Sequence, residues 1–158
     1  MFCRRILNGL IIFLTVTVTL FVGGFAVMGQ DSSHATGADS RAIWMDSATG
    51  LTWDVKDNGS SVSPNQASEY CSGLRSGGYS DWRMPTIDEL EAIFDSKLPK
   101  QYKIKGPVTL SDPCVLSGSM NSSGETWTFC FNSGGRNLGG GGGCGTSGRV
   151  LCVRGTAK

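Results

Sequence analysis

Apolar positions in this chain form one long block followed by several short, patterned ones. The block runs from Ile6 to Met28. After a polar stretch, bulky residues return as Ile43-Trp44-Met45-Asp46 and Leu51-Thr52-Trp53-Asp54, separated by Ser47-Ala48-Thr49-Gly50. Two short apolar runs around a small polar segment predict a β-hairpin with Gly50 at positive φ. Asp57-Asn58-Gly59-Ser60 predicts a second turn.

The period then changes. Ala67, Tyr70, Cys71 and Leu74 recur at helical spacing, which predicts a helix with one buried face. Ser63 caps it, Pro64 takes its first position, and Gln66 completes a capping box. Gly77-Gly78 is the expected end. The stretch Asp81-Trp82-Arg83-Met84-Pro85-Thr86-Ile87-Asp88-Glu89-Leu90 starts a second helix. Pro85 favours an extended approach, and Thr86 with Glu89 forms another capping box. Ile87, Leu90 and Phe94 make its apolar stripe.

Beyond Pro99 the pattern reads as strand and loop. Val108-Thr109-Leu110 and Val115-Leu116 are short strand candidates. Trp127-Thr128-Phe129-Cys130-Phe131 alternates, placing three aromatic rings on one face. Asn132 to Gly135 is a turn. Asn137 to Gly148 reads as a glycine-dominated loop containing five consecutive glycines, Gly139 to Gly143. Arg149-Val150-Leu151-Cys152-Val153-Arg154 is the closing strand. A hairpin, two helices and several strands define an α+β chain, with two helices packed on small antiparallel sheets.

Arg4 and Arg5 before the long apolar block, and polar residues after it, read as a secretory signal over residues 1–29, or an uncleaved anchor. Residues 30–40 read as a linker, 41–156 as one folded domain, and 157–158 as a tail. Taking Arg4 and Arg5 from the 14 basic residues leaves 12 against 13 acidic ones. A near-neutral exported chain argues against a nucleic-acid partner. Membrane contact is expected only through the N-terminal segment if it is uncleaved.

Five of the six cysteines follow the signal: Cys71, Cys114, Cys130, Cys144 and Cys152. Export makes disulfides the default, and an odd count leaves one thiol over. No Cys-x-x-Cys spacing occurs, and the single histidine, His34, lies in the linker, so neither metal nor cofactor is expected. For the middle cysteines the reading is Cys130–Cys144, clipping the glycine loop to a strand, with Cys114–Cys144 as the competitor.

Few residues point to chemistry. Asp88, Glu89 and Glu91 are acidic, but acids in a first helical turn are favoured by the helix dipole. A histidine base is missing from the domain, which leaves a Ser or Cys nucleophile unactivated. The glycine loop lacks the Gly-Lys-Ser/Thr of a phosphate loop. Asp57-Asn58-Gly59 offers too few oxygen ligands for calcium. Trp82-Arg83 reads as scaffold, with a buried ring and a guanidinium held by carbonyls or a carboxylate. The strongest binding candidate is basic: Lys97, Lys100, Lys103 and Lys105 fall within nine residues around Tyr102, with no acid among them. Such a segment attracts sulfated or carboxylated glycans. Arg136, Arg149 and Arg154 are candidate extensions.

Taken in order, several segments resemble one family. They are Asp46-Ser47-Ala48-Thr49-Gly50-Leu51-Thr52-Trp53, Ala67 to Leu74, Asp81 to Thr86 with Glu89-Leu90, Leu116-Ser117-Gly118-Ser119, Trp127 to Phe131, and Val150 to Arg154. The chain resembles the Legionella collagen-like protein C-terminal domain family, which spans nearly all of the mature domain. The resemblance implies a C-type-lectin-like fold with disulfide-linked ends, hence Cys71–Cys152. It also implies adhesion, with sulfated glycosaminoglycans as the ligand class. The calcium-chelating motifs of sugar-binding C-type lectins are absent.

The expected function is therefore an exported, non-enzymatic binding or adhesion module. Its expected partner is an extracellular glycan or surface protein. The binding residues would be Lys97, Lys100, Tyr102, Lys103, Lys105 and Arg136, with the Gly139–Gly148 loop nearby. The alternatives are an envelope assembly module that binds a protein partner, and an enzyme related to formylglycine-generating proteins.

Overall fold

The computed structural model describes residues 42–139 and 147–156. The expected signal, linker and tail lie outside the described residues, as does Cys144.

The hairpin forms as predicted. β1 (Ile43–Met45) pairs antiparallel with β2 (Thr52–Asp54), Trp44 opposite Trp53. Asp46 accepts from the backbone N–H groups of Ala48 and Thr49 and from the Thr49 hydroxyl, and Gly50 turns the chain at φ 76°. β6 (Val153–Arg154) adds to the other side of β2, giving the order β1-β2-β6.

α1 (Pro64–Gly73) carries the predicted capping box: Ser63 accepts from the Gln66 N–H, and the Gln66 side chain accepts from the Ser63 N–H. It ends earlier than Gly77-Gly78. Leu74 is already extended, and the two glycines instead occupy a tight turn bridging Ser76 and Tyr79. Gly77 stands at φ 59°, and a Cβ there would lie 2.7 Å from Ile43 Cγ2, so any other residue would strain the turn and displace Ile43. α2 (Ile87–Ala92) is short and doubly capped by Thr86 and Glu89. Its buried stripe is Ile87, Leu90 and Ile93; Phe94 follows the helix and is only partly buried.

The second sheet has the order β3-β4-β5, from β3 (Cys114–Met120), β4 (Thr126–Cys130) and β5 (Gly135–Leu138). Two expectations change here, while the aromatics Trp127, Phe129 and Phe131 share one core as expected. Val108–Leu110 contributes one bridge, Lys56 to Thr109, rather than a strand. β4 is buried on both sides: Phe129 packs edge-on against Phe94 and Phe131, while Thr128 on the opposite face is also fully buried. β5 takes residues expected to be turn and loop. Its polar, largely exposed side chains gave no periodic signal, and backbone pairing to β4 alone makes it a strand.

The closing segment is likewise not one strand. Gly148 pairs with Val62, Arg149 with Val115, and only Val153–Arg154 joins a sheet. The chain crosses from one sheet to the other and changes partner at nearly every step. Around it lie two cores. One gathers Leu51, Trp53, Leu90, Ile93, Ile104, Phe129, Phe131, Leu151 and Val153 between α2 and both sheets. The other packs Ala67, Cys71 and Leu74 of α1 against Trp82, Leu116, Val150 and Cys152.

Candidate binding surface

The basic segment follows α2 as an ordered loop. The Asp95 N–H donates to the Lys103 carbonyl at 2.9 Å, and the Lys103 N–H to Phe131 O at 2.8 Å. The Lys105 N–H reaches Ile93 O at 2.8 Å, and Asp95 Oδ1 accepts from the Lys97 N–H at 2.9 Å. Fully buried Ile104 pins the loop from below, and Tyr102 packs its ring partly against the same core. Tyr102 is thus largely an anchor, and Lys97, Lys103 and Lys105 around it have hydrogen-bonded backbone N–H groups.

The four ammonium groups differ. Lys100 Nζ donates to Gly106 O at 2.9 Å and to Ile104 O at 3.4 Å. Lys105 Nζ donates to Ala92 O at 2.8 Å, capping the carbonyl end of α2 where a cation is favoured. These two brace the loop. Lys97 is exposed and Lys103 half-buried, and neither ammonium takes a partner among the described residues.

The arginines are committed elsewhere. Arg136, on β5, bridges Asp88 at 2.7 Å and Glu91 on α2. Those contacts raise its pKa further, the Glu91 hydrogen bond foremost. Arg149 donates to Ser111 Oγ at 3.0 Å. Arg154 holds Asp81 at 2.7 and 3.0 Å and lies 3.7 Å over the Tyr79 ring. Its guanidinium lowers the Asp81 carboxyl below the usual range. Of the residues predicted to bind, Lys97 and Lys103 therefore present uncommitted charge, while Lys100, Lys105 and Arg136 present charge already hydrogen-bonded to the protein.

The acidic candidates are also paired. Glu89 takes a bidentate contact from Arg83, and Asp88 and Glu91 share Arg136. Trp82 is buried, its indole N–H donating to Ser76 O at 3.3 Å, as its scaffold reading requires. Asp57 does more than make a turn. It accepts from the Gly59 N–H at 3.0 Å and from both the N–H and hydroxyl of Ser111, latching two segments 54 residues apart. The partner's distance in sequence hid this role.

Cys71 and Cys152 are bonded, with Cα atoms 5.5 Å apart, tying α1 to the closing segment. The middle pairing differs from expectation: Cys130 bonds Cys114, not Cys144. The two face each other directly across β3 and β4, a register that local sequence did not reveal. Two disulfides suit an oxidising compartment, the periplasm or cell exterior.

The glycine-rich loop and the basic loop attach at opposite ends of β4. Gly139 N–H donates to Thr126 O, whereas Lys103 N–H reaches Phe131 O, roughly 16 Å further along a strand at about 3.3 Å per residue. Beside Gly139 lies a cleft that sequence reasoning missed, between the start of α1 and the β3–β4 hairpin. Its lining residues come from four separate segments, with no local motif to mark them.

Fold and surface together define a small α+β module closed by two disulfides. The family is specific: the Lcl C-terminal domain family matches residues 42–154, and the chain belongs to it. No curated protein and no solved structure matches the chain.

Proposed function

We propose that this chain is an exported, non-enzymatic adhesion module that binds sulfated or otherwise acidic glycans through the Lys97–Lys105 loop. The observation that carries the reading is the loop's construction. Of four lysines within nine residues, Lys103 and Lys105 stand on backbone held by Phe131 and Ile93, and Lys97 on a turn closed by Asp95, which limits the ordering left for binding. Two ammonium groups, Lys97 and Lys103, are uncommitted among the described residues. An extended polyanion suits such a surface, because exposed charges act within a Debye length of about 8 Å at physiological salt.

Membership of the Lcl C-terminal domain family supports a secreted or surface setting. The N-terminal apolar segment after Arg4 and Arg5 supports export. The Cys71–Cys152 link between the first helix and the end of the domain supports a C-type-lectin-like arrangement. The engagement of Asp88, Glu89 and Glu91 in ion pairs, and of four cysteines in disulfides, supports binding over catalysis.

The test is retention of the secreted protein on immobilised heparin under a sodium chloride gradient. Retention above that of an uncharged matrix, weakening with salt, is expected. Passage through the column at low salt would overturn the proposal.

A further inference from the structure

The cleft beside α1 has a volume of about 420 Å³, within the roughly 300–1,000 Å³ typical of small-ligand sites. It shares no residue with the lysine loop. On one wall stand Ser63, Pro64 and Asn65 of the α1 start; on the other, Met120, Glu125 and Thr126 of the β3–β4 hairpin.

Two features make this wall a shaped one. First, β3 carries extra residues between Leu116 and Met120 relative to β4. That bulge docks on the start of α2: the Gly118 N–H donates to Pro85 O at 2.7 Å, and Ser119 Oγ accepts from the Ile87 N–H at 3.0 Å. Past it, Met120 comes to stand opposite Thr126 at the cleft with 60% of its surface exposed, a large apolar side chain left outside both cores. Bulges commonly re-aim side chains in this way. Second, Glu125 is held in place. Asn121 Oδ1 accepts from the N–H groups of Ser123 and Glu125 at 2.9 and 2.8 Å, and Asn121 Nδ2 donates to Glu125 Oε2 at 2.8 Å. Glu125 Oε1 takes no partner among the described residues.

The chemistry of the lining selects the occupant. Among the described residues lining the cleft, Glu125 is the charged one, which disfavours an anion. Its oriented carboxylate oxygen accepts hydrogen bonds, and the Asn65 amide both donates and accepts. Met120 and Pro64 add apolar surface between them. A hydroxyl-bearing ring with an apolar face satisfies all three. We propose that this cleft binds a non-anionic sugar residue, with Glu125 and Asn65 hydrogen-bonding its hydroxyls and Met120 packing on its ring.

The test titrates the secreted protein with glucose, galactose, mannose and N-acetylglucosamine, following backbone amide shifts by NMR. At least one sugar is expected to shift Asn65, Glu125 and Thr126, leaving Lys97 and Lys103 unmoved. Glu125→Gln retains an oxygen for Asn121 yet removes the charge, and is expected to weaken that sugar about tenfold or more, as for a lost charge-assisted hydrogen bond. Asn65→Ala, on a different element, should weaken it as well. Heparin retention should stay unchanged in both variants, which separates this site from the lysine loop. The proposal is overturned if none of the four sugars shifts the cleft amides, if both variants bind as the parent does, or if a sulfated disaccharide or a peptide occupies the cleft in their place.

Discussion

Arg83 and Glu89 meet in a bidentate ion pair, Nη1 to Oε2 at 2.8 Å and Nη2 to Oε1 at 2.7 Å. The same Glu89 closes the capping box of α2 by accepting from the Thr86 N–H at 2.8 Å. The same Arg83 reaches Gly155 O at 2.8 Å, and its backbone exchanges both hydrogen bonds with Val153. One pair thus joins the start of α2 to Gly155, just after β6. Glu89→Gln is expected to lower stability at neutral pH by about 1.5–3 kcal/mol, the range for hydrogen bonds to a charged group, read by urea unfolding. Arg83→Lys keeps the charge but loses the fork, and should recover only part of that.

The pair also sets a pH dependence. Burial alone would raise the Glu89 carboxyl, but the Arg83 guanidinium and the Thr86 contacts outweigh it and leave the group below its ordinary value. A carboxyl depressed in the folded state contributes stability above its unfolded pKa of about 4.3, and that contribution is lost as pH falls through the folded value. Unfolding free energy measured from pH 7 downward should therefore fall less steeply below about pH 4.3 in Glu89→Gln than in the parent. Parallel curves would contradict the assignment.

The two disulfides should differ in weight. Cys71–Cys152 closes a separation of 81 residues and Cys114–Cys130 one of 16. On the chain-entropy view these correspond to about 4.5 and about 3 kcal/mol. Replacing both cysteines of a pair by Ala should therefore cost more at the α1 end, as judged by the midpoint of chemical unfolding. Non-reducing peptide mapping should yield both linked peptides.

Within the basic loop, charge and support are separable. Lys97→Ala with Lys103→Ala should elute from heparin at lower salt while changing the unfolding free energy by no more than about 0.5 kcal/mol for each site, the range of ordinary surface substitutions. Lys100→Met with Lys105→Met removes ammonium groups that bond Gly106 O and Ala92 O. It should lower stability as well as retention, by about 0.5–1.5 kcal/mol for each hydrogen bond lost.

Gly106 stands at φ 68°, and a Cβ there would lie 2.4 Å from Trp44 Cδ2. Gly59 has a similar φ of 69° but nothing within 4 Å. Gly59→Ala should cost about 1–2 kcal/mol for the left-handed backbone alone. Gly106→Ala adds overpacking of about 1–3 kcal/mol. Thermal unfolding of the two variants separates the terms.

Much of the chain was legible because its signals are local. Both capping boxes, the Gly50 turn, the buried face of α1 and the Ile87–Leu90 part of the α2 face follow from residues within one or two turns of each other. The positions that misled have partners far away. Asp57 looked like a turn residue because Ser111 is 54 positions on. Cys130 looked free to clip the glycine loop because its pairing with Cys114 is a cross-strand register. Gly135 to Leu138 carry no alternation, so β5 exists only through the β4 backbone.

The sequence by itself determined the helices and their starts, the first hairpin, the α+β class, the scaffold role of Trp82 and the kinship carried by ordered segments from Asp46 to Arg154. Those depend on propensity, capping and periodicity, which act over a few residues. Tertiary structure alone decided which lysines brace the loop and which take no partner among the described residues, that Arg136, Arg149 and Arg154 are spent on carboxylates and a hydroxyl, and that α1 and the β3–β4 hairpin line a cleft. A side chain's available charge depends on which carbonyl or carboxylate the fold brings within 3 Å of it. That distance is set by packing between segments tens of residues apart.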